Sequence, residues 1–174
     1  PAEMLDDASA PHHFTRAVHG TVKRRIYPTY GAHISGGFIS TQSPKIIART
    51  GLDNVRLGIH ALRQNGRVVR GGAQIDGLDL GHAHAPNFET FQRHMAYRLD
   101  KGSYHDRKCK LNRLGHLIRA LMDDPDPEAL RDFHREMCSS APERLDLMAA
   151  HDMLITRHLE LDANVARYFG KLED

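Results

Sequence analysis

The sequence predicts an α+β domain, helix-dominated, with a small irregular sheet and a C-terminal pair of amphipathic helices. Three observations carry this. Apolar residues recur at helical spacing through most of the second half of the chain. The extended candidates in the first half are short and bounded by glycine and proline. The longest apolar runs are a few residues, far below the length that crosses a bilayer. At 174 residues, 40% of them hydrophobic, the chain can bury the core of one domain.

Taken in order, Val18–Val22 and Gly37–Thr41 are short extended candidates. Ser43-Pro44 suits the start of a short helix. Asp53 suits the cap of another, with Val55, Ile59 and Leu62 on one face and Asn65-Gly66 as its stop. Arg67–Arg70 is a strand candidate, and Gln74–Leu80 an irregular strand or loop leading to His82 and His84. Asn87 can cap a helix over Phe88–Lys101, with Glu89 in its positively polarised first turn and Gly102 closing it. A further helix is expected over His105–Met122, with Leu111, Leu114, Ile118 and Leu121 inward. Asp126-Pro127-Glu128 opens a helix striped by Leu130, Phe133 and Met137. After Ser139–Pro142 a long helix is expected to Phe169, with Leu147, Leu154, Leu161 and Val165 on one face, continued by Leu172. His151 and His158 lie beside that stripe, two turns apart, as packing residues.

The net charge of +2 conceals an asymmetry. Residues 1–119 carry 18 Lys/Arg against 9 Asp/Glu, whereas residues 120–174 carry 6 against 13. Residues 1–122 therefore read as a basic α+β core, and 123–174 as acidic C-terminal helices packed on the same domain. The basic part suits a polyanion, and the acidic helices suit a protein partner or the basic core itself. The absence of tryptophan and 6% aromatic content argue against an aromatic stacking platform for single strands. Cys109 and Cys138 cannot form a disulfide framework. With no apolar core in Pro1–Pro11, a cytoplasmic protein is expected, or one exported without a cleaved signal peptide.

Thirteen histidines are present, and the most informative pair stands in Asp79-Leu80-Gly81-His82-Ala83-His84. Imidazole ligates transition metals and shuttles protons near neutral pH. Residues two apart on a strand face one side, so His82 and His84 could meet one ion, with Asp79 joining if Gly81 breaks the register. Asn112 and His116 would share a face of the helix downstream. Arg93, Lys108, Lys110 and Arg113 make residues 93–113 a basic stretch suited to nucleic acid. These are the parts of a one-metal phosphodiesterase, with magnesium, manganese or zinc as the divalent ion.

The run Leu78–His82, followed by Phe91-Gln92-Arg93 and by Asn112-Arg113-x-x-His116, resembles the HNH/endonuclease VII-type toxin nucleases. Those carry an Asp-x-Gly-His signature and a later Asn-Arg-Ser-His. The resemblance implies a metal-dependent nuclease of the toxin or effector kind, with His82 as general base. Asp79 would be a metal ligand, and Asn112 and His116 the supporting catalytic pair. His82-Ala83-His84 with Tyr104-x-x-x-Lys108 is similar to HUH endonucleases, where Tyr104 would be the nucleophile. His19-Gly20-Thr21 followed by Gly37–Ser43 resembles the first two strands of ADP-ribosyltransferases. There His19 would contact ribose, and Ser40 and Thr41 would line a nicotinamide pocket. Two non-enzymatic readings stand beside these: a regulatory helical domain, and a small-anion binder using Arg24, Arg25 and Lys45.

Overall fold

The computed structural model describes residues 2–5, 11–40, 42–43, 45–58, 60–69, 75, 79–83, 87–105 and 110–170. Among these, strands β1 (Ala2–Met4), β2 (His12–Arg16), β6 (Gly81–His82) and β7 (Leu154–Arg157) form one mixed sheet in the order β6-β1-β2-β7. β1 runs antiparallel to β2 and parallel to β6, and β7 closes the far edge antiparallel to β2. Successive side chains leave a strand on opposite faces. Ala2, Met4, Phe14 and Ile155 accordingly make one small apolar cluster, while Leu5 enters the main core under the helices.

Helices α2 (Phe88–Asp100), α3 (Arg113–Met122), α4 (Glu128–Cys138) and α5 (Pro142–Ala149) supply most of that core. Asn87 caps α2 as expected, its side chain accepting from Thr90 N–H at 2.8 Å. Phe91, Met95 and Leu99 form the buried stripe of α2. Phe133 of α4 lies against the rings of Phe91 and Tyr30. The short helix α1 (Gly20–Ile26) enters the same core through Ile26. The Glu136 carboxylate of α4 accepts the Thr29 and Tyr30 N–H groups at 3.0 and 2.8 Å, which ties α4 to the segment after α1.

The helix-dominated α+β class holds, but several elements differ from expectation. Val18–Val22 is not a strand, because Gly20 opens α1; the strand is His12–Arg16. Residues 45–49 have no regular structure, so no helix follows Ser43. The helix expected after Asp53 is a pair of hairpins: β3 (Val55–Leu57), β4 (Leu62–Gln64) and β5 (Arg67–Val68). Asn65 and Gly66 both have positive φ, the geometry of a two-residue hairpin turn rather than a helix stop. His105 and Leu111 form an isolated antiparallel bridge rather than helix, and α3 starts only at Arg113.

The long C-terminal helix is the largest departure. It breaks after Ala149, turns through Asp152 at φ 56°, forms β7, and resumes as α6 (Leu161–Phe169). The Leu147-Leu154-Leu161 spacing thus never lines one face, and His151 and His158 lie on either side of a strand. Leu154-Ile155-Thr156 holds two β-branched residues, and the open edge of β2 offers a hydrogen-bonding ladder that helix propensity cannot outweigh. Gln74 and residues 76–78 lie outside the described residues.

Candidate functional site

Glu3 and His82 are direct partners across the parallel β1–β6 ladder. Side chains so paired leave the same face of the sheet, with backbones roughly 4.8 Å apart. Glu3 is 5% exposed. Its two oxygens accept the backbone N–H groups of Ile39 and Ser40 at 2.8 and 2.9 Å. Those two residues follow a tight turn in which Gly36 and Gly37 both have positive φ and Ser35 bridges Phe38. Arg98 of α2 donates to Ile39 C=O at 3.4 Å, and its guanidinium lies 5.8 Å from the centre of the Tyr104 ring. A cleft of about 400 Å³ opens on the other side of this turn, lined by Ser35, Ser40, Gln42 and Ser43. Ser40 is therefore common to the cleft wall and the Glu3 carboxyl.

Burial pushes Glu3 up to about 7, against the downward pull of Ser40, Ile39 and the Arg98 charge. His82 is half-buried, and burial first, then the charges of Lys45, Arg98 and His60, hold its imidazole below the ordinary histidine value. Its Nε2 is buried and has no hydrogen-bond partner among the described residues. The pair thus combines a carboxyl titrating near neutrality and a neutral imidazole with an unpartnered, buried nitrogen, under the influence of the Lys45 and Arg98 charges. Such a site can take up an anion and move a proton.

Of the sequence candidates, His82 and Ser40 are placed in this constellation, with Lys45 near enough to act on His82. Asp79 is exposed and pairs with Arg157 at 3.5 Å. His84, Thr41 and Lys108 lie outside the described residues. Asn112 precedes α3 and caps it, its side chain accepting Gly115 N–H at 2.8 Å, and His116 is exposed on the following turn. We expect Asn112→Ala to cost about 1 kcal/mol in chemical denaturation and Asn112→Asp to restore it, as a cap would. A loss of activity in Asn112→Asp at full stability would instead give Asn112 a chemical role.

Tyr104 is 4% exposed and donates its hydroxyl to Met95 Sδ at 2.8 Å, which leaves it poorly placed to attack a substrate. His19 is exposed at the N-cap of α1 rather than on a strand. Val18, just before it, donates to Gly36 C=O, so the His19 segment does adjoin the turn that carries Ser40. Among the described residues, no three His, Cys, Asp or Glu side chains converge as a metal-holding group.

Glu3 and Arg98 were not foreseen. Glu3 stands between Ala2 and Met4, a lone acid in an apolar strand, and that flanking was the available signal. Comparison of the chain with family models, curated proteins and solved structures finds no match. Among the described residues no helix is long and apolar enough to cross a membrane.

Proposed function

We propose that this chain is a phosphodiesterase acting on nucleic acid, with His82 as the general base. The observation that carries it is the half-buried His82 imidazole, register partner of Glu3, its buried Nε2 without a hydrogen-bond partner among the described residues and under the influence of the Lys45 and Arg98 charges. Cations in that arrangement draw in a phosphate and stabilise the charge that grows on it during displacement. The neutral His82 removes the proton of the attacking hydroxyl, the new P–O bond forms, and the leaving oxygen departs with its electron pair to be protonated from solvent. Glu3 is a positioning residue: it fixes the Ile39–Ser40 wall through two hydrogen bonds.

The open Nε2 also favours a second form of the proposal, in which a divalent ion binds His82 with His84 and Asp79 and lowers the pKa of bound water. Against it, Asp79 is engaged by Arg157, and the Lys45 and Arg98 charges that act on His82 oppose a dication. The hydroxyl-lined cleft favours a rival enzyme reading, in which ribose hydroxyls of NAD meet Ser35, Ser40 and Ser43.

One assay separates these. RNA, single- and double-stranded DNA and NAD are each incubated with the protein, with magnesium, manganese or zinc and with chelator. Cleavage of nucleic acid is expected to fall at least ~100-fold in His82→Ala. Its rate should rise with pH through a midpoint below the ordinary histidine value. Loss on chelation selects the metal form. NAD turnover lost in Ser40→Ala and His19→Ala selects the transferase reading. Nucleic-acid cleavage that His82→Ala leaves unchanged sinks the proposal.

A further inference from the structure

The three-stranded sheet β3–β5 has none of the attributes of a core element. No residue in its strands is buried, and Leu57, Val68 and Val69 are 57%, 45% and 39% exposed. Its register places Arg56 directly opposite Arg63, and Arg63 opposite Val68. Directly opposed like charges weaken a strand pair, and here no described carboxylate forms an ion pair with either guanidinium. Arg63 makes one weak contact, to Gly66 C=O at 3.4 Å. Residues 45–70 hold Lys45, Arg49, Arg56, Arg63, Arg67 and Arg70 against the single acid Asp53. A two-hairpin ribbon that keeps two arginines side by side at a stability cost is built for a ligand that supplies the missing negative charge.

His60 stands in the turn between β3 and β4, and Lys45 on the approach to the ribbon. Both are near enough to His82 to affect its charge state. Arg56 and Arg63 on the ribbon, with Lys45 and Arg49 before it and Arg67 beside them, give this segment closely spaced cations, which suits a continuous polyanion better than separate headgroups.

We propose that the β3–β5 ribbon is a nucleic-acid arm, in which Arg56 and Arg63 together clamp the phosphate backbone. It rests on the phosphodiesterase reading for the substrate class. It locates backbone binding at residues 55–68, beside the basic stretch 93–113 that the sequence suggested. β-Ribbons can enter or follow a groove with arginines on phosphates, and each neutralised phosphate contributes to the salt dependence of binding.

The test is fluorescence anisotropy with labelled single-stranded RNA and duplex DNA, on the full chain in a His82→Ala background so that cleavage does not intervene. The double variant Arg56→Gln/Arg63→Gln is compared with its parent across a salt series. Affinity is expected to fall at least ~10-fold near 0.1 M salt, and the slope of log K against log salt to shrink by about 1.4 to 1.8. The melting temperature should stay level or rise slightly, since a repulsive pair is removed. Unchanged affinity and slope would overturn the arm. So would binding to phosphatidylserine vesicles, lost in the double variant, with no binding to nucleic acid. Failure of the catalytic reading is distinguishable: the chain would bind nucleic acid through Arg56 and Arg63 yet not cleave it.

Discussion

The stability of the wild-type chain relative to Glu3→Gln is expected to fall by about 3 kcal/mol as pH rises from 4.5 to 7. In that window the unfolded chain has lost the Glu3 proton, while the folded chain keeps it because burial raises the carboxyl to about 7. The folded state binds more protons, so raising the pH favours unfolding. His134 has the opposite sign. Packed against the Phe88 and Phe91 rings, with Arg131 and Arg135 near, it is held down to about 4. The unfolded chain binds the extra proton between pH 4 and 6.5, so wild-type stability relative to His134→Phe should rise by about 3 kcal/mol across that range. Between 4.5 and 6.5 the two contributions cancel in the wild type and emerge only in the variants. Urea denaturation at half-unit pH steps tests this. Difference curves that are flat, or that slope the same way for both variants, would contradict it.

Gly37→Val is expected to destabilise the fold by about 3–5 kcal/mol, combining left-handed backbone strain with overpacking. Gly37 has φ 78°, and a Cβ there would stand 2.6 Å from Cε2 of Tyr27, a fully buried ring. That ring cannot retreat easily, since the Arg144 guanidinium lies 5.1 Å from its centre. Gly20→Val is the control. Its φ of 63° carries comparable strain, but no atom lies within 4 Å of the added Cβ, so about 1–2 kcal/mol is expected. Equal losses in the two variants would show that the Tyr27 contact is slack. Because Ile39 and Ser40 lie two and three residues after Gly37, the same substitution should withdraw their N–H groups from Glu3 and lower the proposed activity beyond the loss of folded protein.

Elements with strong local signals were legible from the chain. Asn87 with Glu89 marked the start of α2, and Pro127-Glu128 with Leu130, Phe133 and Met137 marked α4, because caps and stripes act within one helix. Long-range pairing was not legible. Leucines seven apart at 147, 154 and 161 imitate a helical stripe, and only the waiting edge of β2 turns Leu154–Arg157 into a strand. Asn65-Gly66 is the local signal that was read the wrong way, since that dipeptide ends helices and makes hairpins alike. His82 could be found because Gly81-His82-Ala83-His84 is unusual in itself. The lone acid between Ala2 and Met4 points to Glu3, but its partners and Arg98 were not legible, because the Glu3 carboxyl, the Ile39–Ser40 amides and Arg98 meet only after the sheet and α2 have packed.

The pairing of β2 with β7 sets the order in which this molecule can be made. His13 and Thr156, whose side chains meet at 3.2 Å, are 143 residues apart, so one edge of the sheet stays open until the chain between them has been made. Until Leu154–Arg157 has left the ribosome, a nascent chain holds β1 and β2 with an unsatisfied row of backbone groups and Phe14 short of Ile155. Closing so large a loop is entropically slow, and the exposed edge is where a growing chain would meet a chaperone or another copy of itself.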